Sequence, residues 1–430
     1  MTYQNIYDSK DYVRSRNAYT AQSAVEYFIT IAVTDSFLAK VLTEIGVSDT
    51  MTGIISSFVA FAFLFQLVSF LLASKIKRVR RTVMLFCMVS SLLFSSIYLI
   101  PFLPLGDSAK TLIVMACIII AYSSNYFVAP VLFKWANYYV SPEERGEYSA
   151  TKEIISLLGG MGFTLFGGFL IDFFEVRGIL RIGFMVMAAI LYGLSLCNFS
   201  CLSRIKDWGP EVKMEKTATV SQARKYLTEN KAFRNLVIMT ILWNVVVYMT
   251  IGYMGVYKIK ELGLGVGAIQ LINIGANMCR ALVSKPIGRF SDRYSYARGM
   301  KMALIIIATA FLLNMFTTPN TWWMVILFTV LYSVGIAGIN QNSFNIVYSY
   351  VDNRYLVQAM AIKNSIGGIC GFLASLVGGW ILSYIQENGN TFLGMQVYGQ
   401  QLLSCISFIA VIVLIAFIHF VIERQKAMVQ

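Results

Sequence analysis

The chain has 430 residues, 57% of them hydrophobic and only 13% charged, with a formal net charge of +13. So low a share of charge excludes a water-soluble globular protein, because most of the chain could not face water. With a mean hydropathy of +0.66, the composition predicts a membrane protein.

Twelve apolar stretches are long enough to cross a bilayer as helices. A transmembrane helix needs about 20 mostly apolar residues, because the hydrocarbon core is roughly 30 Å thick and a helix rises about 1.5 Å per residue. The predicted spans, in chain order, are 20–45, 51–74, 82–103, 109–133, 152–173, 180–202, 234–256, 266–287, 300–318, 322–347, 360–385 and 401–423. The predicted fold class is therefore an all-α polytopic membrane protein. Residues 1–19 are polar, so we expect no cleavable signal peptide before the first span.

Basic residues distinguish the two sides of this predicted membrane protein. Nearly all Lys and Arg residues lie on the side of the N-terminus. Six lie on the opposite side of the membrane: Lys40, Lys110, Arg177, Arg181, Lys258 and Lys260. Short cytoplasmic loops of membrane proteins are enriched in Lys and Arg, so we predict cytoplasmic termini and a location in the plasma membrane. The positive net charge is then a topology signal, and no nucleic-acid partner is expected.

The longest polar interruption, residues 203–233, follows the sixth span and is rich in Lys and Arg. It predicts a cytoplasmic linker between two six-helix bundles, residues 1–202 and 234–430. Within the linker, the stretch 220–230 could form a short amphipathic helix on the inner membrane face. We prefer a solvated linker that helps to set topology over a regulatory segment.

Two acids interrupt the first span. Nine residues separate Glu26 from Asp35, so at about 100° per residue they should face opposite sides of one helix. Glu26 shares its face with Gln22 and Thr30, a polar stripe that suits a water-filled cavity. A charge inside the membrane is costly and seldom without function, so both acids are candidates for proton coupling. For Asp35, a structural hydrogen bond to a neighbouring helix is an equal alternative.

The fifth and eleventh spans begin almost alike, which indicates an internal repeat. Lys152-Glu153 leads to Gly167-Gly168, and Lys363-Asn364 leads to Gly378-Gly379 at the same spacing. A membrane chain built from two related halves is most often a transporter whose solute site lies between the halves. Both Lys residues lie near predicted helix ends, where their side chains should reach the lipid headgroups.

The eighth span carries Asn273, Asn277 and Arg280 at helical spacing, hence on one face. We expect Arg280 about two turns inside the cytoplasmic end of this helix, because the apolar run ends near Ile287. Arg280 could bind an anionic group of a solute or pair with Glu153 of the fifth span. We favour the ion pair.

The segment that follows the eighth span resembles a family signature. Gly288-Arg289-Phe290-Ser291-Asp292-Arg293, with Arg298 downstream, resembles the loop signature of the major facilitator superfamily of secondary transporters. The stretch 142–146 before the fifth span is also similar to family members, and the resemblance covers almost the whole chain. The equivalent loop in the first half is degenerate, because Ala73 replaces the Gly and Lys77 replaces the Asp. The resemblance implies twelve helices in two pseudo-symmetric six-helix bundles.

The resemblance also implies a cytoplasmic gate formed by charged residues. Asp292 should accept hydrogen bonds from a helix N-terminus in the other half, and Gly288 should let two helices approach closely. Arg293 and Arg298 could pair with acids near the start of the fifth span. The gating candidates are Gly288, Asp292, Arg293, Arg298, Arg145 and Glu153. The alternative is that these charges only set topology.

In the family, the first, fourth, seventh and tenth spans line the solute cavity. Here these spans and the eighth carry amides and aromatic rings, which suit a polar, hydroxyl-rich solute because amides donate and accept hydrogen bonds while rings stack on apolar sugar faces. The cavity candidates are Gln22, Thr30, Asn125, Tyr126, Trp243, Asn244, Tyr248, Asn273, Asn277, Arg280, Asn340 and Gln341. Structural hydrogen bonds between helices and interfacial aromatic residues are the alternative.

Together these features predict a proton-coupled symporter that imports a small polar organic solute, such as a sugar, a glycoside or an amino-acid-like compound. Sodium is the alternative coupling ion. Phe163-Thr164 stand where exporters of the family often carry Gly-Pro, which favours uptake over the alternative of a multidrug–proton antiporter. A non-transporting membrane receptor is a remote alternative.

Neither an enzyme nor a cofactor or metal site is expected. His419 is the only His, and the seven Cys residues lack paired spacing. The expected partners are the small-molecule solute, protons or sodium, and the lipid bilayer. The expected oligomeric state is a monomer.

Overall fold

A computed structural model describes residues 7–72, 76, 78–141, 145–207, 225, 227–352, 355–392 and 395–425. This part of the chain is almost entirely helical, apart from one short hairpin in which Thr391-Phe392 pair with Met395-Gln396. Eleven of the helices described are long and apolar enough to cross a membrane. The predicted all-α polytopic membrane fold is thereby confirmed.

We number the helices α1 to α12 after the twelve predicted spans. In the first half they are α1 (Lys10–Ile31 and Asp35–Ile45), α2 (Asp49–Ser56, Phe58–Ala62 and Leu64–Leu72), α3 (Val79–Ser96, then a 3-10 segment, Ile97–Phe102), α4 (Asp107–Asn137), α5 (Arg145–Val176) and α6 (Leu180–Arg204). In the second half they are α7 (Lys231–Val256, then a π turn, Tyr257–Glu261), α8 (Val266–Tyr294), α9 (Tyr296–Asn314), α10 (Met324–Tyr350), α11 (Leu356–Glu387) and α12 (Gly399–Phe417, then a π turn, Ile418–Ile422). A short 3-10 turn, Pro319–Thr321, precedes α10.

The first predicted span is not one continuous helix. α1 ends at Ile31 and resumes at Asp35, whose φ of 45° is unusual for a residue other than glycine. The 100° spacing that placed Glu26 and Asp35 on opposite faces therefore does not continue between them. Breaks of this kind within transporter helices are associated with solute or ion sites.

The described residues pack as two compact units. Unit 1 contains those of Met1–Val47, Phe65–Lys216 and Gly265–Gly267, and unit 2 contains those of Ser48–Leu64, Thr217–Leu264 and Ala268–Gln430. The domain boundaries predicted at residues 202 and 234 stay a prediction.

The first two pieces of α2 pack within unit 2 against α7 and α11. Asp49 accepts a hydrogen bond from Gln386 Nε2 at 2.9 Å and forms an ion pair with Lys260 at 2.6 Å. One turn further along, Gly53 lies against the buried ring of Tyr253, where a Cβ atom would come within 1.9 Å of a ring carbon. Only glycine permits so close a helix crossing, which explains why this part of α2 belongs to unit 2.

Several sequence features lie outside the described residues. These are the degenerate loop positions Ala73 and Lys77, the stretch 142–144 before α5, and most of the predicted amphipathic helix 220–230.

Candidate functional site

An acid in the middle of α1 is the centre of a polar network in unit 1. Glu26 accepts a hydrogen bond from Asn125 Nδ2 of α4 at 2.6 Å and a second one from the amide of Asn198 in α6. Asn198 Nδ2 also donates to Ser91 Oγ of α3 at 3.0 Å. Side chains from three helices therefore meet at one carboxyl group, and Asn198 extends the network to a fourth.

The Glu26 network can hold the carboxyl group in either protonation state. Among the described residues, two amides donate hydrogen bonds to this carboxyl group, and no Lys or Arg side chain does. The Asn198 Oδ1 atom is buried and has no hydrogen-bond partner there. Rotation of the Asn198 amide would present this oxygen to the hydroxyl of a protonated Glu26, whereas the present orientation donates N–H to the ionised form. The site is thus suited to bind and release a proton.

The other two candidates on the predicted polar stripe, Gln22 and Thr30, form no hydrogen bond with the Glu26 carboxyl group in the described part of the chain. Thr30 Oγ1 donates to the Glu26 carbonyl oxygen at 2.9 Å, within the same helix. Gln22 is buried, and its Nε2 atom has no hydrogen-bond partner among the described residues. Only Gln22 therefore has an unused donor on this predicted polar stripe.

Asp35 is the first residue of the second piece of α1 and is partly exposed. A carboxylate in the first turn of a helix is favoured by the helix dipole. Its positive φ stores strain of order 1–3 kcal/mol, and strain of this kind is concentrated at functional sites. Its role in proton coupling stays a prediction.

The α4 residues form an aromatic pair beside the Glu26 network. Tyr126 stacks on the buried Tyr122, with 6.4 Å between ring centroids, one position after Asn125. Tyr122 in turn meets Phe94 edge to face at 4.9 Å. Asn125 is thus hydrogen-bonded to Glu26, and Tyr126 is the partly exposed end of an aromatic stack.

In unit 2, the candidate residues of α7 lie along its contact with α11. Asn244 donates to the Thr240 carbonyl oxygen at 2.8 Å and packs against Gly367, while Tyr248 packs against Gly371. Trp243 instead packs against the apolar core of unit 2. The structure therefore brings Asn244 and Tyr248 together and places Trp243 in a structural position.

Arg280 lies deeper in α8 than the sequence predicted. The helix does not end near Ile287 but continues to Tyr294, so Arg280 is at its centre rather than two turns from its end. Its side chain is half-buried and forms no ion pair within unit 2 in the described part of the chain. The predicted pairing with Glu153 stays a prediction.

The amides near Arg280 bond to neighbouring side chains. Asn277 Oδ1 accepts a weak hydrogen bond from Ser333 Oγ of α10 at 3.4 Å, and Asn273 Nδ2 lies 3.5 Å from Gln270 Oε1. On α10, Gln341 Nε2 donates to the Ser284 carbonyl oxygen at 3.3 Å, and Asn340 is exposed. Gln341 thus connects α10 to α8, whereas Asn340 is accessible.

The predicted gating loop is helical. Gly288, Asp292 and Arg293 belong to the last turns of α8, and Ser295 caps α9 by accepting a hydrogen bond from the Arg298 backbone N–H at 3.2 Å. Among the described residues, a Cβ at Gly288 would meet only Gln341 Oε1, at an ordinary 3.5 Å, so the close approach expected there stays a prediction. Asp292, Arg293, Arg298 and Glu153 are exposed. The Arg145 side chain lies outside the described residues, and the gating roles stay predictions.

The sequence prediction missed a second acid, Asp172, near the end of α5. Its two carboxylate oxygens accept hydrogen bonds from the backbone N–H groups of Val266 (2.9 Å) and Gly267 (2.7 Å) at the start of α8, all within unit 1. The carboxylate thus caps the positive end of the α8 dipole. A Cβ at Gly267 would lie 2.8 Å from Asp172 Oδ2, so a larger residue at this position would displace the capping carboxylate.

Removing this helix cap should lower the stability of the folded protein. We expect Asp172→Ala to lower the free energy of unfolding by about 1–2 kcal/mol, because two helix N–H groups lose a charged acceptor. Asp172→Asn keeps one acceptor oxygen and should lose less. The matched control is Glu175→Ala, which removes an exposed partner of Lys40 and should change stability by less than about 1 kcal/mol. Equal thermal midpoints for Asp172→Ala and Glu175→Ala would contradict the capping role.

Lys363 does not lie where the sequence predicted. Its side chain is buried, 3% exposed, instead of reaching the headgroups, and Nζ donates to Ser343 Oγ of α10 at 3.3 Å. The repeat-related Lys152 is half-buried, and its Nζ lies 3.3 Å from the Tyr19 hydroxyl and 4.6 Å from the centre of that ring. The two positions therefore differ in environment although the repeat relates them.

The sequence contained signals for Asn198 and Asp172, two residues that the site prediction missed. Asn198 is an amide within an apolar span, and Asp172 is an acid near the end of another. Polar residues at such positions are expensive in a membrane and indicate a partner. The partner itself could not be read from spacing, because it lies on a different helix.

A protein-family model described as Major Facilitator Superfamily matches residues 23–285 and 274–429. A search of curated proteins found no match.

Solved transporter structures share the fold. A mutant of the nucleoside transporter NupG aligns over 94% of this chain and 99% of its own, with a TM-score of 0.72 and 15% identity. An auto-inhibited POT family peptide transporter aligns over 97% and 98%, with a TM-score of 0.71 and 12% identity. A D-xylose–proton symporter aligns over 94% and 97%, with a TM-score of 0.68 and 13% identity.

Proposed function

Because the chain belongs to the major facilitator superfamily, we propose that it is a secondary transporter that couples proton entry to uptake of a small polar organic solute by alternating access. The observation that carries the proposal is the Glu26 network. An intramembrane carboxyl group bonds to two amides, without a cation among the described residues, and an unused acceptor belongs to one of those amides.

Glu26 can couple proton and solute because both of its states are accommodated. The ionised carboxylate accepts N–H bonds from Asn125 and Asn198, and the protonated group can donate to the rotated Asn198 amide. The neutral form avoids the cost of an unpaired charge within the membrane. Conversion between outward- and inward-open states is then easier when Glu26 is protonated.

The proposed solute class rests on amides and aromatic rings within each unit. Asn125 and Tyr126 in unit 1, and Asn244 and Tyr248 in unit 2, supply hydrogen-bonding groups and aromatic faces for a polar body. Structures with this fold include a nucleoside transporter, a D-xylose–proton symporter and a peptide transporter. We therefore place the solute among small polar organic compounds.

The protein is a multi-pass membrane protein. We place it in the plasma membrane as a monomer with both termini in the cytoplasm, because its Lys and Arg residues lie mostly on the side of the N-terminus.

Uptake driven by a pH gradient tests the proposal. Full-length protein in proteoliposomes with an alkaline interior should accumulate at least one of radiolabelled uridine, D-xylose or dialanine above its external concentration. At one proton per solute, a gradient of one pH unit supports about tenfold accumulation, because one unit corresponds to 1.36 kcal/mol.

Other gradients separate the alternatives. Collapse of the pH gradient with a protonophore should reduce the accumulation to equilibration. Accumulation that follows only a sodium gradient would reject proton coupling, and proton-driven loss of solute from the vesicles would favour an antiporter. Binding without any flux would indicate a receptor.

A further inference from the structure

A buried ammonium group in α11 has too few partners. Lys363 Nζ has three N–H donors, and its hydrogen bond to Ser343 Oγ, 3.3 Å long, is the only one in the part of the chain that is described. No carboxylate there forms an ion pair with it. Removing a charge from water in this way is costly unless an anion approaches.

The position of Lys363 within α11 increases the cost of burying its charge. Lys363 is the eighth residue of the helix, about 10 Å along its axis, at a rise of about 1.5 Å per residue. At 3% exposure, its stem does not carry the ammonium group to the surface, as exposed Lys side chains near helix ends do.

The face of α11 that bears Lys363 also carries the contacts with the candidate solute residues of α7. Gly367 and Gly371 follow Lys363 at intervals of four residues, which places all three on one face. A Cβ at Gly367 would lie 2.8 Å from Asn244 Nδ2, and one at Gly371 would lie 2.5 Å from the Tyr248 ring. Lys363 is therefore about one turn from the Asn244 amide and about two turns from the Tyr248 ring.

We infer that Lys363 binds an anionic group of the transported solute, a carboxylate or a phosphate, while Asn244 and Tyr248 contact the polar body of the same molecule. This inference rests on the proposed transport function and narrows its solute class to organic anions. An arriving anion supplies the acceptors that the ammonium group lacks, so a neutral analogue of the same shape binds less tightly.

The repeat supplies a matched comparison. Lys152 is the eighth residue of α5, as Lys363 is of α11, but it is half-buried and lies over the Tyr19 ring. A cation satisfied by an aromatic face and a hydroxyl does not require an external anion. Lys152 therefore controls for the loss of one positive charge at the same helical position.

Thermal stability without solute is the first measurement. Lys363→Met should raise the unfolding midpoint of the purified full-length protein by about 2 °C or more, because an unpaired buried charge is replaced by an apolar side chain of similar length. Lys152→Met should not raise it, since a satisfied cation is lost. A lower midpoint for Lys363→Met would show that Lys363 stabilises the empty protein, and would overturn the inference.

Binding of charge-matched pairs is the second measurement. The probes are D-glucuronate against D-glucose for a carboxylate, and uridine 5′-monophosphate against uridine for a phosphate. An anionic probe should bind wild type at least ten times more tightly than its neutral partner, and Lys363→Gln should remove this preference, whereas Lys152→Gln should keep it. The pair that shows the preference identifies the anionic group.

Three results would reject the role of Lys363. These are tighter binding of the neutral probes to wild type, an unchanged preference in Lys363→Gln, and a preference lost only in Arg280→Gln. If none of the four probes binds, the stability measurement decides. The binding measurement is made on protein in detergent and requires no gradient. If the preference for anionic probes depends on Lys363 but the proteoliposomes show no uptake, the transport function is rejected and the anion site is retained.

Discussion

Glu26→Gln is expected to abolish proton-driven accumulation while solute exchange continues. Glutamine keeps the size of the side chain and one acceptor oxygen for Asn125 or Asn198, but it cannot bind or release a proton. With a gradient of one pH unit, accumulation should fall from about tenfold to equilibration, whereas counterflow between equal solute pools should persist. Paired uptake and counterflow assays in proteoliposomes measure the two activities.

Glu44→Gln provides the matched control for this substitution. Glu44 lies in the second piece of α1, is exposed, and takes no part in the Glu26 network, so its replacement should leave accumulation unchanged. Asp35→Asn is compared separately. Proton-driven accumulation that survives in Glu26→Gln but disappears in Asp35→Asn would move the coupling site to the break in α1, and survival in both would exclude α1.

Gly368→Ala is expected to destabilise the contact between α2 and α11. A Cβ at Gly368 would lie 2.3 Å from the backbone carbonyl oxygen of Ala60 and 3.0 Å from Phe63, in unit 2. Backbone atoms cannot rotate away, so the helices must separate, at a cost of about 1–3 kcal/mol. The separation of the helices would also strain the hydrogen bond from Ser365 Oγ to the Phe63 carbonyl oxygen, which is 3.0 Å long. We expect a lower thermal midpoint and, if the contact must form during each transport cycle, uptake reduced by about tenfold, which corresponds to 1.4 kcal/mol.

Gly275→Ala distinguishes this clash from a general effect of replacing glycine. Gly275 lies in α8, also in unit 2, and among the described residues beyond its own helical turn no atom would come within 4 Å of its added Cβ. The substitution should therefore stabilise the helix by about 0.5–1 kcal/mol through reduced backbone entropy. Equal midpoints for Gly368→Ala and Gly275→Ala would show that the α2–α11 contact is more adaptable than its geometry implies.

Much of the fold was predictable from the sequence, and the exceptions have physical causes. Apolar runs located α4, α6 and α12 to within a few residues, because a helix in lipid must be apolar over a fixed length. The end of α8 was misplaced by seven residues, from Ile287 to Tyr294, because polar residues can continue a helix beyond the membrane. The break in α1 had no glycine or proline to mark it, since it occurs at Ala32–Thr34.

The candidate site was predictable only in its residue types. Glu26 and Arg280 could be singled out from the sequence alone, because a charge is expensive in lipid wherever it occurs. The same reasoning treated Lys363 as one of two equivalent Lys residues near helix ends. The structure buries it against Ser343 and leaves Lys152 over an aromatic ring. Repeat symmetry relates backbone positions, but the neighbours of each side chain differ between the halves.

The sequence by itself determined the membrane environment, the all-helical fold, the internal repeat and the family, because these depend on composition, length and order along the chain. Only the tertiary structure decided which polar groups meet. Asn198 lies 172 residues from Glu26, and Val266 lies 94 residues from Asp172. Such pairings depend on the rotation, breaks and close crossings of packed helices, and periodicity within one helix carries no information about its neighbours.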